Sequence, residues 1–365
     1  MAEKKDLNSW WSDSGPDSNW IETPNPTPNP SPNEKVKQAK NCPDIIARTI
    51  DYKYIIGKRL GSGGCADVYL CESKEDGKRY AFKIFKEDYV RASGGAPSNS
   101  LSDSCKSRVT REISALKKVK DPAVCSYKEN GVYVDYESNV RYHYIVMDYA
   151  EGESLHDRLK REYPFRQISI KVPMQENIEI FKKIVHGVDV IHKKKIIHRD
   201  LKPENIMIGN DGSVKIVDFG LSKIIDQASI TDIGTIIGTP LFMAPEQAMG
   251  AGKAEVDYRA DYYALGNILF KLLTNEYPIL NSRCVTETVR RVREEPVKNI
   301  KELVPDIPPD IEKLVNMLLA KDANDRPRDV KQIFSLLEPP PKKKELYFSM
   351  FGSFMRDKGN DKRWY

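Results

Sequence analysis

Apolar positions along this chain change their rhythm near residue 151. Before it they come in short alternating runs separated by glycine-containing turns, at 54–60, 67–71 and 79–85 and again at 131–136 and 142–148. Alternation in runs of this length, rich in Tyr, Ile, Val and Phe, is the pattern of strands in a sheet. Helical spacing interrupts them once, at 107–119, after a Ser/Gly/Pro-rich stretch at 92–104. A mostly antiparallel sheet with one helix packed on it is the expected result. Beyond Glu151-Gly152 the period lengthens, and 175–193, 258–273, 285–294, 310–319 and 330–337 are each expected to be helical. Two β-like stretches, 195–198 and 213–217, interrupt the second half. The fold class is therefore α+β: a small sheet lobe over 49–150 joined to a larger, mostly helical lobe over 151–337.

Both flanks lack this periodicity. Residues 1–48 contain a run in which proline alternates with Asn, Thr and Ser, which removes backbone donors repeatedly and favours extended conformations, so an unpacked tail is expected. Trp10, Trp11 and Trp20 stand out in that polar setting as anchors for a partner or for the domain surface. At the other end Pro339-Pro340-Pro341 stops the last helix, and 338–365 reads as a basic and aromatic tail. Tyr347, Met350, Phe351, Phe354 and Met355 share helical spacing there, a stripe expected to dock on the domain or on a partner rather than on a membrane.

Composition narrows the class. At 365 residues with 40% hydrophobic content, the chain can bury a substantial core. Its formal charge of +5 is spread among many residues of both signs, which argues against a nucleic-acid partner. No apolar run approaches the ~20 residues of a bilayer span. The start of the chain lacks the apolar core of a secretion signal, and the six cysteines form no C-x-x-C pair; reduced thiols and a cytoplasmic location are the expectation.

Candidate chemistry gathers in four places. Gly61-Ser62-Gly63-Gly64 lies between two expected strands, where missing side chains let backbone N–H groups approach phosphate oxygens. Lys83 sits in the middle of an apolar strand, so it must reach solvent or find an anion, and Glu112 on the following helix is the natural partner. The third is His198-Arg199-Asp200-Leu201-Lys202-Pro203-Glu204-Asn205. Phosphoryl transfer needs a carboxylate near the acceptor hydroxyl, an oxygen ligand for Mg²⁺ and a cation for the moving phosphate; Asp200, Asn205 and Lys202 supply one of each. The fourth is Asp218-Phe219-Gly220, which offers a second hard oxygen donor.

With Ala81-Phe82-Lys83 and Ala244-Pro245-Glu246, these motifs follow the order that resembles a eukaryotic-type serine/threonine protein kinase over about residues 52–337, with a bacterial or archaeal flavour. The resemblance implies the bilobal kinase fold, ATP and Mg²⁺ as cofactors, and proteins with Ser or Thr acceptors as substrates. By it, Lys83 would bind the α- and β-phosphates and pair with Glu112, Asp200 would be the catalytic base, and Asn205 and Asp218 would hold magnesium. Leu60, Val68, Ala81 and Met207 would sandwich the purine, with Met147 as gatekeeper before a hinge of Asp148, Tyr149 and Ala150. Thr239 would help hold the acceptor site, Glu246 would bridge to Arg326, and Asp261 would brace the catalytic loop. Ala66 replaces the third glycine of the phosphate loop, in a form similar to that of many bacterial members.

Arg199 beside Asp200 suits a phosphate on the loop between Gly220 and Ala244, where Ser229, Thr231 and Thr235 are candidates for autophosphorylation, in trans within a homodimer. Cys65 at the tip of the phosphate loop is a candidate for oxidation that would weaken ATP binding. The rival readings are a scaffold that keeps the fold without the chemistry, and a kinase of small molecules or lipids. The first is disfavoured because Lys83, Asp200 and Asn205 are all present, the second by the protein-substrate segment at 238–246.

Overall fold

The computed structural model describes residues 45–63, 66–85, 103–136, 140–163, 173–218, 240–249, 256–282 and 284–338. The first half forms strands β1 (Thr49–Ile50), β2 (Tyr54–Ser62), β3 (Ala66–Ser73) and β4 (Arg79–Phe85), helix α1 (Asp103–Leu116), and strands β5 (Tyr127–Asp135) and β6 (Val140–Asp148). The strands make one antiparallel sheet in the order β1-β2-β3-β4-β6-β5. Helix α1 starts before the expected 107 and ends at Leu116, and β5 starts at Tyr127 rather than 131.

Alternation along β4 explains why 80–85 is buried without interruption. Ala81 and Phe85 join Val109, Ala115 and Leu116 of α1 in the larger core. Tyr80, Phe82 and Ile84 point the other way, into a second core with Tyr54, Ile56, Tyr69, Tyr144 and Val146. Within it Phe82 stacks on Tyr144 with ring centres 4.6 Å apart, and Tyr54 meets Tyr80 edge-on at 6.4 Å. The sheet encloses this second core by rolling until its two edges meet. Arg48, beside β1, reaches Tyr133 Oη at 2.9 Å and Asp135 at 3.7 Å on β5, and Lys53 reaches Glu129 at 3.2 Å. The Tyr144 hydroxyl donates to Asp51 in the same seam.

Ile45–Arg48, read from the sequence as the end of a tail, are part of this roll. Ile45 is fully buried, Ala47 N donates to Ile56 O at 2.8 Å, and Ile56 N donates to Arg48 O at 3.0 Å. The rest of the expected tail, with its three tryptophans, and the stripe from Tyr347 to Met355 lie outside the described residues.

The second half adds β7 (Glu153–Ser154), α2 (Leu155–Glu162), α3 (Met174–Lys193), β8 (Ile206–Ile208), β9 (Val214–Ile216), α4 (Pro245–Ala248), α5 (Arg259–Thr274), α6 (Val285–Glu294), α7 (Ile300–Leu303), α8 (Pro309–Leu318) and α9 (Val330–Leu337). Every residue of α5 from Ala260 to Leu273 is buried, so this helix is the axis of the lobe. Two glycines set how closely its neighbours pack. A Cβ on Gly266 would lie 2.9 Å from Leu318 Cβ of α8, and one on Gly187 of α3 would lie 2.8 Å from Ile216 Cδ1 of β9.

Residues 195–198, expected to be β-like, form no strand. The chain turns directly out of α3, with Lys195 N donating to His192 O at 2.8 Å and Lys195 in the left-handed region at φ 58°. Among the described residues no helix is long and apolar enough to cross a membrane.

Candidate active site

Lys83 stands opposite Val68 on one side and Ile145 on the other, facing α1. Its side chain is 6% exposed. A buried ammonium must be met by anions: its Nζ lies 2.6 Å from Glu112 Oε1 and also donates to Asp218 Oδ1. Burial works against the Lys83 charge, but Asp218 and Glu112 outweigh it and raise its pKa, so the amine stays protonated. For Asp218, whose side chain is half-exposed, desolvation is opposed by the adjacent lysine, which holds the carboxyl below its usual range.

The loop at 198–205 hangs from a buried carboxylate. Asp261 of α5, 1% exposed, accepts from His198 N on Oδ2 and from Arg199 N on Oδ1, both at 2.8 Å. His192, at the end of α3, places Nε2 2.7 Å from the same Oδ2. Desolvation of Asp261 is outweighed by His192 and the loop amides, which keep its pKa low. These bonds hold Arg199 in a left-handed conformation at φ 65°. His198 is fully buried; burial depresses its pKa and keeps the ring neutral, so Nδ1 can accept from Asp200 N at 3.4 Å.

Asp200 then meets its two loop partners. Asn205 Nδ2 donates to Asp200 O at 2.9 Å and to Oδ2 at 3.2 Å, while Lys202 Nζ lies 3.2 Å from Oδ2. A 3₁₀ turn at Pro203–Asn205 makes this geometry local, with Asn205 N donating to Lys202 O at 2.9 Å. Val217 N donates to Asn205 O at 2.9 Å, which sets Asp218 beside the loop at φ 58°. The two groups of site residues are thereby joined.

Because the Asn205 amide nitrogen is committed to Asp200, its Oδ1 is the atom that can ligate a cation. Asp218 retains Oδ2 for the same purpose. Among the described residues no group of three His, Cys, Asp or Glu side chains is placed to hold a metal. One carboxylate and one amide oxygen suit Mg²⁺, which keeps waters and takes phosphate oxygens as further ligands.

The expected nucleotide residues lie along the sheet and its exit. Met147 is opposite Ala81 in the β4–β6 register, and both are buried. Val68 is half-buried against the same core, and Leu60 on β2 is 38% exposed. Asp148, Tyr149 and Ala150 leave β6, with Asp148 N donating to Ser126 O at 2.9 Å and Cys125 Sγ donating to Asp148 O at 2.9 Å. Met207 lies on β8 opposite Ser154. Gly61 and Ser62 end β2, and Gly63, just after it, donates its N–H to Ala66 O at 2.9 Å. Gly64, Cys65, Phe219, Gly220, Ser229, Thr231, Thr235 and Thr239 lie outside the described residues.

Glu246 and Arg326 form a bidentate buried pair at 2.7 and 2.8 Å. Arg326 also donates to Ala320 O and Arg259 O, each at 2.9 Å. His192 is the site residue that the sequence reading missed. The signal was Asp261 itself, since a carboxylate inside an apolar helix must find donors.

A family model, the protein kinase domain, matches residues 54–336. The probable serine/threonine-protein kinase PknB of Lactococcus lactis is 31% identical over 284 residues, covering 78% of this chain and 41% of that protein. The serine/threonine-protein kinase PknB of Mycobacterium leprae is 32% identical over 276 residues, covering 75% and 40%, and PrkC of Bacillus subtilis 29% over 297 residues, covering 80% and 42%. The chain thus spans less than half the length of these curated relatives. The crystal structure of a mutant PknI kinase domain from Mycobacterium tuberculosis shares the fold, with a TM-score of 0.57 at 20% identity over 80% of this chain and 96% of that one. Two lobes meeting at Lys83 and Asp218, and a family match across 54–336, lead to one conclusion: the chain belongs to the protein kinase family, alongside the bacterial serine/threonine-protein kinases.

Proposed function

We propose that this protein transfers the γ-phosphoryl group of ATP to serine or threonine hydroxyls of protein substrates. The observation that carries this reading is the contact of Lys83 with both Glu112 and Asp218, residues from three separate motifs. An ammonium held this way presents a fixed positive charge where phosphates would arrive. Asp200 accepts the proton of the acceptor hydroxyl, while Asn205 holds the Asp200 carboxylate in place. Lys202, whose charge Asp200 sustains against burial, faces the transferring phosphoryl group. Asn205 Oδ1 and Asp218 would hold Mg²⁺, which when bound neutralises charge on the phosphates.

The kinase domain is taken to run over 49–337, with residues 45–48 packed onto its sheet, between a Pro/Asn-rich segment and a basic/aromatic one. Leu60, Val68, Ala81 and Met207 enclose the purine, with Met147 and the 148–150 hinge at its edge and the 61–64 backbone over the phosphates. Autophosphorylation at Ser229, Thr231 or Thr235, in trans within a homodimer, would place an anion against Arg199, whose buried Nε has no hydrogen-bond acceptor among the described residues. A cytoplasmic site of action fits this chemistry, since ATP must be at hand. Removing the three hydroxyls together should lower kcat. Full activity of that triple variant would overturn the regulatory part while leaving the phosphotransfer reading intact.

A further inference from the structure

Gly61, near the end of β2, and Gly63, just after it, gain little hold from packing. A Cβ on Gly61 would meet no atom within 4 Å, and one on Gly63 would meet only Ala66 O, at 3.6 Å. Glycines there permit close approach to phosphates but constrain their own backbone little. Ser62 and Asp67 stand directly opposite each other, next to the Gly61–Val68 pair. Ser62 Oγ donates to Asp67 Oδ1 at 2.6 Å.

The placement of this bond separates it from nucleotide contacts. Ala66 and Val68 face the larger core, on the side of Lys83, so by alternation Asp67 faces the other way, with Tyr69 and Cys71 of the rolled aromatic core. Opposite residues in an antiparallel pair share a face, so Ser62 lies on that side too. Asp67 is 4% exposed although it is an anion near a site for a polyanion. A buried carboxylate there requires donors, and the Ser62 hydroxyl on the facing strand is one of them.

We propose that the Ser62–Asp67 bond is a clasp on the back of the phosphate loop, which sets nucleotide affinity by holding Gly61 and Gly63 in register. Ser62 and Asp67 act here as positioning residues, through the backbone rather than by touching phosphate with their side chains. The inference rests on the phosphotransfer reading for its ligand, but the clasp itself can be measured without turnover.

The test compares wild type, Ser62→Ala and Ser62→Thr in the full chain. Hydrogen exchange at residues 61–63 and 66–68 is followed in nucleotide-free protein, and binding of ATP with Mg²⁺ by calorimetry. Ser62→Ala should exchange faster at these amides and bind ATP about three- to tenfold more weakly, the size expected for one partly exposed hydrogen bond to a carboxylate. In turnover this loss should fall on KM for ATP. Ser62→Thr, which keeps the hydroxyl, should restore both readouts. Unchanged exchange in Ser62→Ala, or ATP affinity equal to wild type despite faster exchange, would overturn the clasp. Failure of wild type itself to bind ATP would overturn the phosphotransfer reading, and this assignment of the clasp with it.

Discussion

Arg199 and Asp218 both hold left-handed backbone conformations, which for side chains of this kind cost about 1–3 kcal/mol each. Asp261 offsets that cost at Arg199 by accepting two loop amides while His192 donates to the same carboxylate. Replacing His192 by phenylalanine should keep the ring against Tyr258 and Tyr262 but lose this bond. Stability should fall by about 1.5–3 kcal/mol, the range for a hydrogen bond to a charged group, with a lower kcat; urea unfolding and steady-state kinetics check both. Thiol reactivity should separate along the same physical lines. Burial pushes the Cys71 and Cys125 thiols up to about 12, whereas the Thr286 hydroxyl beside exposed Cys284 lowers its pKa. Under limiting iodoacetamide, peptide mapping should find Cys284 alkylated before Cys71 and Cys125. Lys83, Asp200, Asn205 and Asp218 were legible in the sequence because charged and amide residues at fixed spacing carry their own signal. His192 was not, because its role depends on α3 lying against α5, which periodicity does not reveal.

At the scale of elements, the Glu246–Arg326 pair joins the start of α4 to the chain between α8 and α9. Replacing Arg326 by methionine leaves a buried carboxylate without its partner and should cost about 3–5 kcal/mol in chemical denaturation. Lys321 gives a pH signature. Burial depresses its pKa to about 8, against the opposing Glu295 charge, while its Nζ donates to Val292 O at 2.6 Å. In the unfolded chain a lysine titrates near ~10.4, so between about pH 8 and that value the unfolded state binds more protons. Stability should therefore rise with pH across this window, and Lys321→Met should remove that gain when unfolding is compared at both ends. Long helices such as α3 and α5 were readable from their period. The eight-residue α2 was not, since its N-cap bond from Asp157 N to Ser154 Oγ at 3.0 Å is too local to show as periodicity. The stretch 195–198 misled because Ile196-Ile197 is β-branched, while the turn that follows α3 decides its conformation.

In the whole molecule, the two lobes are each built around an element buried on both sides, β4 in the sheet and α5 among the helices. Each displays one end of the chemistry: Lys83 comes from β4, and the loop bearing Asp200 hangs from α5. The antiparallel sheet and the helical lobe could be read from the sequence. The rolling of the sheet could not, because the seam of Arg48 with Asp135 and Lys53 with Glu129 pairs residues about 80 positions apart without a motif. The central claim is that the joined Lys83 and Asp200 groups transfer phosphate from ATP to protein hydroxyls. Its most direct test is incubation with γ-labelled ATP and Mg²⁺ of wild type, Lys83→Ala and Asp200→Asn, scoring label on phosphoserine and phosphothreonine of the protein itself and of generic protein substrates. The account predicts label in wild type and a loss of about 10²–10⁴-fold in Asp200→Asn. Folded, ATP-binding wild type that transfers no label, or Asp200→Asn that labels as fast as wild type, would contradict it.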